Sequence, residues 1–238
     1  MLCVAFDLDD TLYLERSYVL SGFRAAGVWA ETELGIPDLT ERALHEFESG
    51  GRGKVFNRVL AGYGFFDRHV LGRLVQVYRS HTPSIALLPD ATQCLRALRP
   101  HACLALITDG PAAAQREKVR ALGLHHGMDL VVLTGAWGQE FSKPNPRAFA
   151  YVQQRFAVPP ECCVYIGDNP AKDFITPRRL GWRTVRVRRE GGLHCRRKPK
   201  TGYEAERECG DLTPVPALLI NAENFRDAKL YVPLDPFR

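Results

Sequence analysis

The chain has 238 residues, 45% of them apolar and 25% charged, which is ordinary globular composition and argues against a wholly disordered chain. That length accommodates one α/β domain with a sizeable core, or a core plus a small inserted domain. The formal net charge is +5, and no apolar run approaches the ~20 residues that a membrane-spanning helix requires.

The first element is a short apolar run, Leu2–Phe6. It lacks a basic leader, and acids follow at Asp7, Asp9 and Asp10, so a secretory signal is not expected. Further runs of four or five apolar residues recur at Cys103–Ile107, Leu130–Leu133, Cys162–Ile166 and Thr184–Val187. Most contain β-branched residues and each precedes a turn or helix signal, so they read as buried parallel strands. Helical stretches lie between them. Ala112–Leu122 ends at Gly123, a natural C-terminal stop, and Ala171–Leu180 ends at Gly181. Asn145 and Pro146 read as the N-cap and first residue of a helix to about Phe156. The alternation predicts an α/β sheet with right-handed crossovers.

The interval from Glu15 to Leu87 breaks this rhythm. Val19, Phe23, Ala26, Ala30 and Leu34 fall at helical spacing, as do Phe66, Val70, Leu74, Val77 and Tyr78. Gly50, Gly51, Arg52 and Gly53 punctuate the middle. An all-helical insertion, with linkers near Tyr13–Glu15 and Ser84–Pro89, is the simplest account. The expected organisation is a discontinuous core (1–14 and 88–225), a helical cap (15–87) and a tail (226–238). Arg196–Gly210 is polar and reads as a mobile loop, and Val215–Phe225 as a short helix.

The basic excess sits between Arg178 and Lys200, with Arg183, Arg186, Arg188, Arg189, Arg196, Arg197 and Lys198. A nucleic-acid patch is one reading, but a solvated strand edge and loop is preferred. Cysteines at 3, 94, 103, 162, 163, 195 and 209 are odd in number and form no C-x-x-C pair, which suits reduced thiols in a cytoplasm. Cys195 and Cys209 with His194 fall short of a four-ligand zinc pattern.

Chemistry-bearing residues follow four of the predicted strands. Asp7-Leu8-Asp9-Asp10-Thr11 comes directly after the first, at the sheet end where ligands bind. If the chain turns at Leu8, Asp7 and Asp9 can converge on one site, and close carboxylates then need a shared proton or a cation. A hard divalent ion such as Mg²⁺ would satisfy them. Thr108 and Asp109 end the second strand, where a hydroxyl and backbone N–H groups suit a phosphate oxygen. Lys143 precedes a helix start, and its ammonium could face an anion there. Gly167-Asp168-Asn169 ends another strand; Asp168 can complete an ion's ligands, and Asp173 can orient that shell from behind. All four clusters would lie on one rim of the sheet.

On these residues the sequence resembles the haloacid dehalogenase superfamily of phosphatases. Val4–Leu12 (VAFDLDDTL) looks like its first motif, Thr108 like its second, Lys143 like its third and Gly167–Asp173 like its fourth. The resemblance implies a Rossmann-like core with sheet order 5-4-1-2-3 and a helical cap of the C1 type inserted after the first motif. It implies that Asp7 forms an aspartyl phosphate and that Asp9 handles the proton. Mg²⁺ would be held by Asp7, the Asp9 backbone carbonyl and Asp168. Thr108, the backbone N–H of Asp109 and Lys143 would bind the phosphate. Asp9 would then have to hold a proton near neutral pH. Many members carry asparagine where this chain has Asp109, so its side chain is expected to point away from the phosphate. Members that break carbon–halogen bonds lack the acid at Asp9, which favours phosphoryl transfer. The expected substrate is a small phosphorylated metabolite: a nucleotide, flavin mononucleotide or a sugar phosphate. Arg24, Arg52 and Lys54 could reach its remote end, though a solvated role is preferred. A sugar phosphomutase and a silent binding module on the same fold remain alternatives.

Overall fold

A computed structural model describes residues 1–51, 53–64 and 67–220. Arg52, Phe66 and the part of the predicted last helix and tail from 221 onward lie outside the described residues. The chain divides into two compact units: Met1–Glu15 with the chain from Ala86 onward, and Arg16–Ile85.

The first unit is built on a six-stranded parallel sheet. Its strands are β1 (Leu2–Phe6), β2 (Ala102–Thr108), β3 (Leu130–Leu133), β4 (Cys163–Gly167), β5 (Arg183–Val187) and β6 (Arg207–Cys209), in spatial order β3-β2-β1-β4-β5-β6. This is a Rossmann-like α/β sheet, and it contains the order 5-4-1-2-3 expected from the sequence. Central strand β1 pairs Cys3 with Cys103 on one side and with Cys163 on the other. Cys3, Val4, Ala5 and Phe6 are all fully buried, as expected of a strand covered on both faces. One face packs Ala105, Ile107, Val132, Phe149, Val152, Tyr165 and Trp182 into a single cluster. There Phe149 meets Tyr165 and Trp182 edge to face, with centroids 5.0 and 5.8 Å apart.

Three readings of the sequence need correction in this unit. Arg207–Cys209, read as loop, is edge strand β6. It has no apolar run, and its order comes from pairing with β5 and from charge: Glu208 receives Arg186 at 3.0 Å and Arg188 at 3.5 Å. The helix expected over Ala171–Leu180 is shorter, spanning Ile175–Arg179, because the preceding residues form a turn at the site. The basic segment is also not simply solvated. Arg186 is buried, and it donates to the carbonyls of Asp168 (3.2 Å), His194 (2.8 Å) and Arg197 (2.7 Å). Arg183 pairs with Glu206 as well.

The second unit is all helical over the described residues: α1 (Glu15–Leu34, starting at the boundary), α2 (Leu39–Glu48), α3 (Val55–Gly62) and α4 (Arg68–Ser80). Of the residues picked out by spacing, Val19, Phe23, Ala26, Ala30 and Leu74 are buried in its core with Leu39, Phe56 and Leu60, Leu34, Val70 and Tyr78 pack against it half-buried, and Val77 is not part of it. Phe23 packs edge to face on Phe56 at 5.7 Å. Asp67 caps α4, accepting from His69 N at 2.6 Å. Arg24 and Lys54 are exposed.

The chain re-enters the first unit through α5 (Pro89–Leu98), and α6 (Ala112–Ala121) follows β2. The remaining helices are α7 (Leu124–Gly127), α8 (Arg147–Phe156), α9 (Ile175–Arg179) and α10 (Val215–Ile220). Helix α8 starts one residue later than the sequence suggested: Pro146, not Asn145, stands at the N-cap position, and Asn145 Oδ1 accepts from Arg147 N at 2.9 Å in the turn that leads into the helix.

Candidate active site

The site forms where β1, β2 and β4 end. Asp7 N still donates to Ile166 O at 2.8 Å, so Asp7 is the last residue held by strand pairing. The chain then turns, with Leu12 N returning to Leu8 O at 3.0 Å and Asp10 adopting a left-handed φ of 53°. The Asp10 carboxylate stabilises that turn, accepting from Glu15 N at 2.8 Å and from Leu193 N at 2.7 Å.

Asp7, Asp168 and Asp173 offer carboxylate oxygens that all lie within 4.8 Å of one another, and all three residues are buried. Lys143 answers them. Its ammonium, with no side-chain exposure, lies 2.6 Å from Asp7 Oδ1 and 2.9 Å from Asp173 Oδ1, and donates to the Tyr165 hydroxyl at 2.7 Å. One lysine does not neutralise three acids. Burial, reinforced by Asp173, lifts Asp7 to about 6 despite Lys143. Burial and the charges of Asp173, Asp7 and Asp10 lift Asp168 to about 9. Such a group of crowded oxygen donors, short of positive charge, fits a hard divalent cation.

Asp173 is an orienting group as well as a neighbour. Its Oδ2 accepts from Asn169 N at 2.8 Å, and the Asn169 side chain accepts from Ala171 N at 3.0 Å. This turn displaces the start of α9. It also explains Gly167: a Cβ there would stand 2.6 Å from Asp173 Oδ2. The Asn169 amide further contacts His194 Nε2 at 3.1 Å.

Asp9 departs from two expectations. Its carboxylate is not one of the three that crowd together. It turns to Lys118 on α6, whose Nζ lies 2.7 Å from Oδ1, and it also receives the Tyr13 hydroxyl. Nor does it hold a proton near neutral pH in this arrangement. Burial alone would raise it, but the charge and hydrogen bond of Lys118, with Tyr13, bring it below the usual carboxylate range. Gln115, one turn before Lys118, places Nε2 3.5 Å from Asp9 Oδ2 and accepts the Thr108 hydroxyl at 3.1 Å.

The Asp109 side chain accepts from Thr134 Oγ1 at 2.9 Å and from Lys143 N at 3.1 Å, and pairs with Lys172 at 2.8 Å. Burial would raise it, and Lys143 and Lys172 outweigh that and lower it. The acid is therefore compensated by its own lysine, with the further effect of fixing the Lys143 backbone. Lys118, Gln115, Tyr165 and Lys172 were not picked out as site residues from the sequence. The available signal for two of them was the i, i+3 pair Gln115 and Lys118, both buried on a helix face shared with Ala114 and Val119. Among the described residues, the acidic trio is the one grouping of possible metal ligands, and it includes no cysteine.

The sequence pattern of the haloacid dehalogenase-like hydrolases matches residues 1–181. The chain belongs to that family. This hydrolase is 34% identical to the glyceraldehyde 3-phosphate phosphatase of Methanopyrus kandleri over 78% of its own length and 83% of that protein. It is 41% identical to the phosphoserine phosphatase of Thermus thermophilus over 62% of its length and 58% of the relative. Its fold is similar to that of the hydrolase YfnB of Bacillus subtilis, a structure bound to magnesium, at TM-score 0.66 and 20% identity, covering 92% of this chain and 98% of that one. The L-2-haloacid dehalogenase of Xanthobacter autotrophicus is similar in fold at TM-score 0.62, 20% identity and 93% and 100% coverage.

Proposed function

We propose that the protein is a Mg²⁺-dependent phosphatase that hydrolyses a small phosphate monoester through an aspartyl phosphate on Asp7. The observation that carries this reading is the buried set of Asp7, Asp168 and Asp173 around Lys143 at the ends of β1 and β4. Relatives named as phosphatases of glyceraldehyde 3-phosphate and phosphoserine support a small phosphorylated metabolite as substrate.

In this proposal the Asp7 carboxylate attacks phosphorus and the alcohol leaves. Thr108, the N–H of Asp109 and Lys143 bind the non-bridging oxygens, stabilising charge that shifts onto them during transfer. Asp9, ionised at rest, would take up a proton from solvent as the anionic phosphate binds beside it and favours its neutral form, pass that proton to the leaving oxygen, and recover one from the water that hydrolyses the acyl phosphate. Its resting ionised form is the half of that cycle that activates water. Mg²⁺, held by Asp7, Asp168 and the Asp9 carbonyl, would lower the repulsion between the Asp7 carboxylate and an anionic phosphate. Asp173 acts behind these groups by holding Asn169 and Lys143. The helical unit is proposed to act as a substrate-selecting cap. A reducing, cytoplasmic setting agrees with seven free cysteines, and among the described residues no helix is long and apolar enough to cross a membrane.

The test is phosphate release, with and without Mg²⁺, from a panel of glyceraldehyde 3-phosphate, phosphoserine, sugar phosphates, nucleotides and flavin mononucleotide. Metal-dependent release that is lost in Asp7→Asn is expected. Equal release by wild type and Asp7→Asn would remove Asp7 as nucleophile. A substrate that is isomerised without net phosphate release would mark a mutase.

A further inference from the structure

Among the described residues, Lys118 and Lys143 are the buried lysines, and Lys118 pairs with Asp9 rather than with the acidic trio. Its side chain is 4% exposed, whereas that of its partner Asp9 is 23% exposed. Burying an ammonium carries a desolvation penalty that an apolar side chain at the same position would not. The cation is thus held inside the fold to meet a carboxylate at the open end of the sheet.

The surrounding contacts leave the Asp9 carboxyl little freedom. Oδ1 is engaged by both Lys118 (2.7 Å) and Tyr13, and Oδ2 faces Gln115 Nε2 at 3.5 Å. The Gln115 amide is itself oriented, because its oxygen accepts the Thr108 hydroxyl at 3.1 Å. Gly110 makes room for that amide: its φ is 118°, and a Cβ there would stand 3.0 Å from Gln115 Nε2. One face of α6 therefore carries two polar groups. One reaches the hydroxyl assigned above to phosphate, and both reach the carboxyl assigned to the proton.

We propose that Lys118 is a positioning residue for the acid–base step, fixing the Asp9 carboxyl relative to Thr108 with the help of Gln115 and Tyr13. The inference rests on the phosphatase reading above. It concerns when Asp9 matters. Expulsion of an alkoxide needs a well-placed acid, whereas p-nitrophenolate leaves without one. A misplaced Asp9 therefore penalises alkyl phosphates and largely spares aryl phosphates. Loss of fold or of phosphate binding would penalise both alike.

The experiment compares kcat/KM for p-nitrophenyl phosphate and for the alkyl phosphate of the panel that wild type turns over fastest. This ratio of constants reports steps up to departure of the leaving group, so slow hydrolysis of the acyl phosphate does not enter. In Lys118→Met the alkyl substrate is expected to lose about 100-fold or more, in line with general acid contributions, and the aryl substrate roughly tenfold less than that. Lys118→Arg should restore much of the alkyl rate. Tyr13→Phe, a smaller change that keeps the ion pair, should shift the same ratio in the same direction and serves if Lys118→Met does not fold. Equal losses on both substrates, or an unchanged ratio in Tyr13→Phe beside an unfolded Lys118→Met, would overturn the proposal. Wild type showing no Asp7-dependent turnover of either substrate would instead refute the phosphatase reading itself.

Discussion

Lys143 and Asp7 meet as a buried ion pair at 2.6 Å, joining residues 136 positions apart in sequence. The same ammonium lies 2.9 Å from Asp173. Lys143 is thus the cation around which the ends of β1 and β4 are assembled, as well as a group proposed to hold phosphate. Burial would lower its pKa, but Asp173 and Asp7 raise it well above the usual lysine range, so it stays charged.

Removing that charge should damage both stability and activity. Lys143→Met leaves two buried acids facing each other, a change that typically costs about 3–5 kcal/mol. It should also lower kcat by roughly 100-fold or more through loss of an oxygen-binding cation. Urea unfolding in chelator and steady-state kinetics measure the two effects. The double variant Lys143→Met/Asp173→Asn should recover much of the stability and none of the activity. A Lys143→Met protein as stable as wild type would mean that the ion pair does not organise the site.

Divalent cation should stabilise the fold through the same carboxylates. At a Mg²⁺ concentration of about 100 times its dissociation constant, linkage predicts roughly 2.7 kcal/mol of added stability. Thermal unfolding with Mg²⁺ and with chelator reads this directly, without any substrate. Asp168→Asn should abolish the response to Mg²⁺. Because Asp168 is held up at about 9 by burial and acidic neighbours, its neutral replacement should leave the chelated protein at least as stable as wild type. An undiminished Mg²⁺ shift in Asp168→Asn would place the cation elsewhere.

The parts of the fold that were legible in the sequence share one cause. Strands covered on both faces must be apolar throughout, so Leu2–Phe6 and Leu130–Leu133 stand out as runs with the bounds they have in the structure. Edge strand β6 has no such signature, since Arg207 and Glu208 are charged and pairing with β5 is what orders them. Helix α5 (Pro89–Leu98) was not picked out; it begins where the linker read at Ser84–Pro89 ends. The segment before α9 was read as helix because its side-chain pattern allows one, but Asp173 and Asn169 commit the local backbone N–H groups to a turn. In the site, strand-end residues such as Asp7, Thr108 and Asp168 could be singled out because a strand terminus is a place. Lys118 could not, because its pairing with Asp9 spans 109 positions and leaves no local mark. The lowered pKa of Asp9 in this arrangement was hidden for the same reason: it depends on that unseen lysine.

Arg189 extends the argument to pH. Its Nε donates to Thr11 O at 2.8 Å and its Nη2 lies 2.8 Å from Asp90 Oδ2, so it links the turn after β1 to the start of α5. Asp90 also accepts from Leu212 N at 2.8 Å. Burial opposes its ionisation, but Arg189 and the backbone donors outweigh this and hold its pKa below the ordinary range. A carboxyl whose pKa is depressed on folding contributes stability that is present above its unfolded pKa, about 4, and is lost as pH falls through the folded value. Asp90→Asn should therefore cost about 1.5–3 kcal/mol at pH 7, the usual range for a hydrogen bond to a charged group. The gap between variant and wild type should hold constant from pH 8 to about 5 and narrow below about 4. Denaturant titrations at several pH values measure it. A gap that widened on acidification would contradict the pairing with Arg189 as the source of the stability.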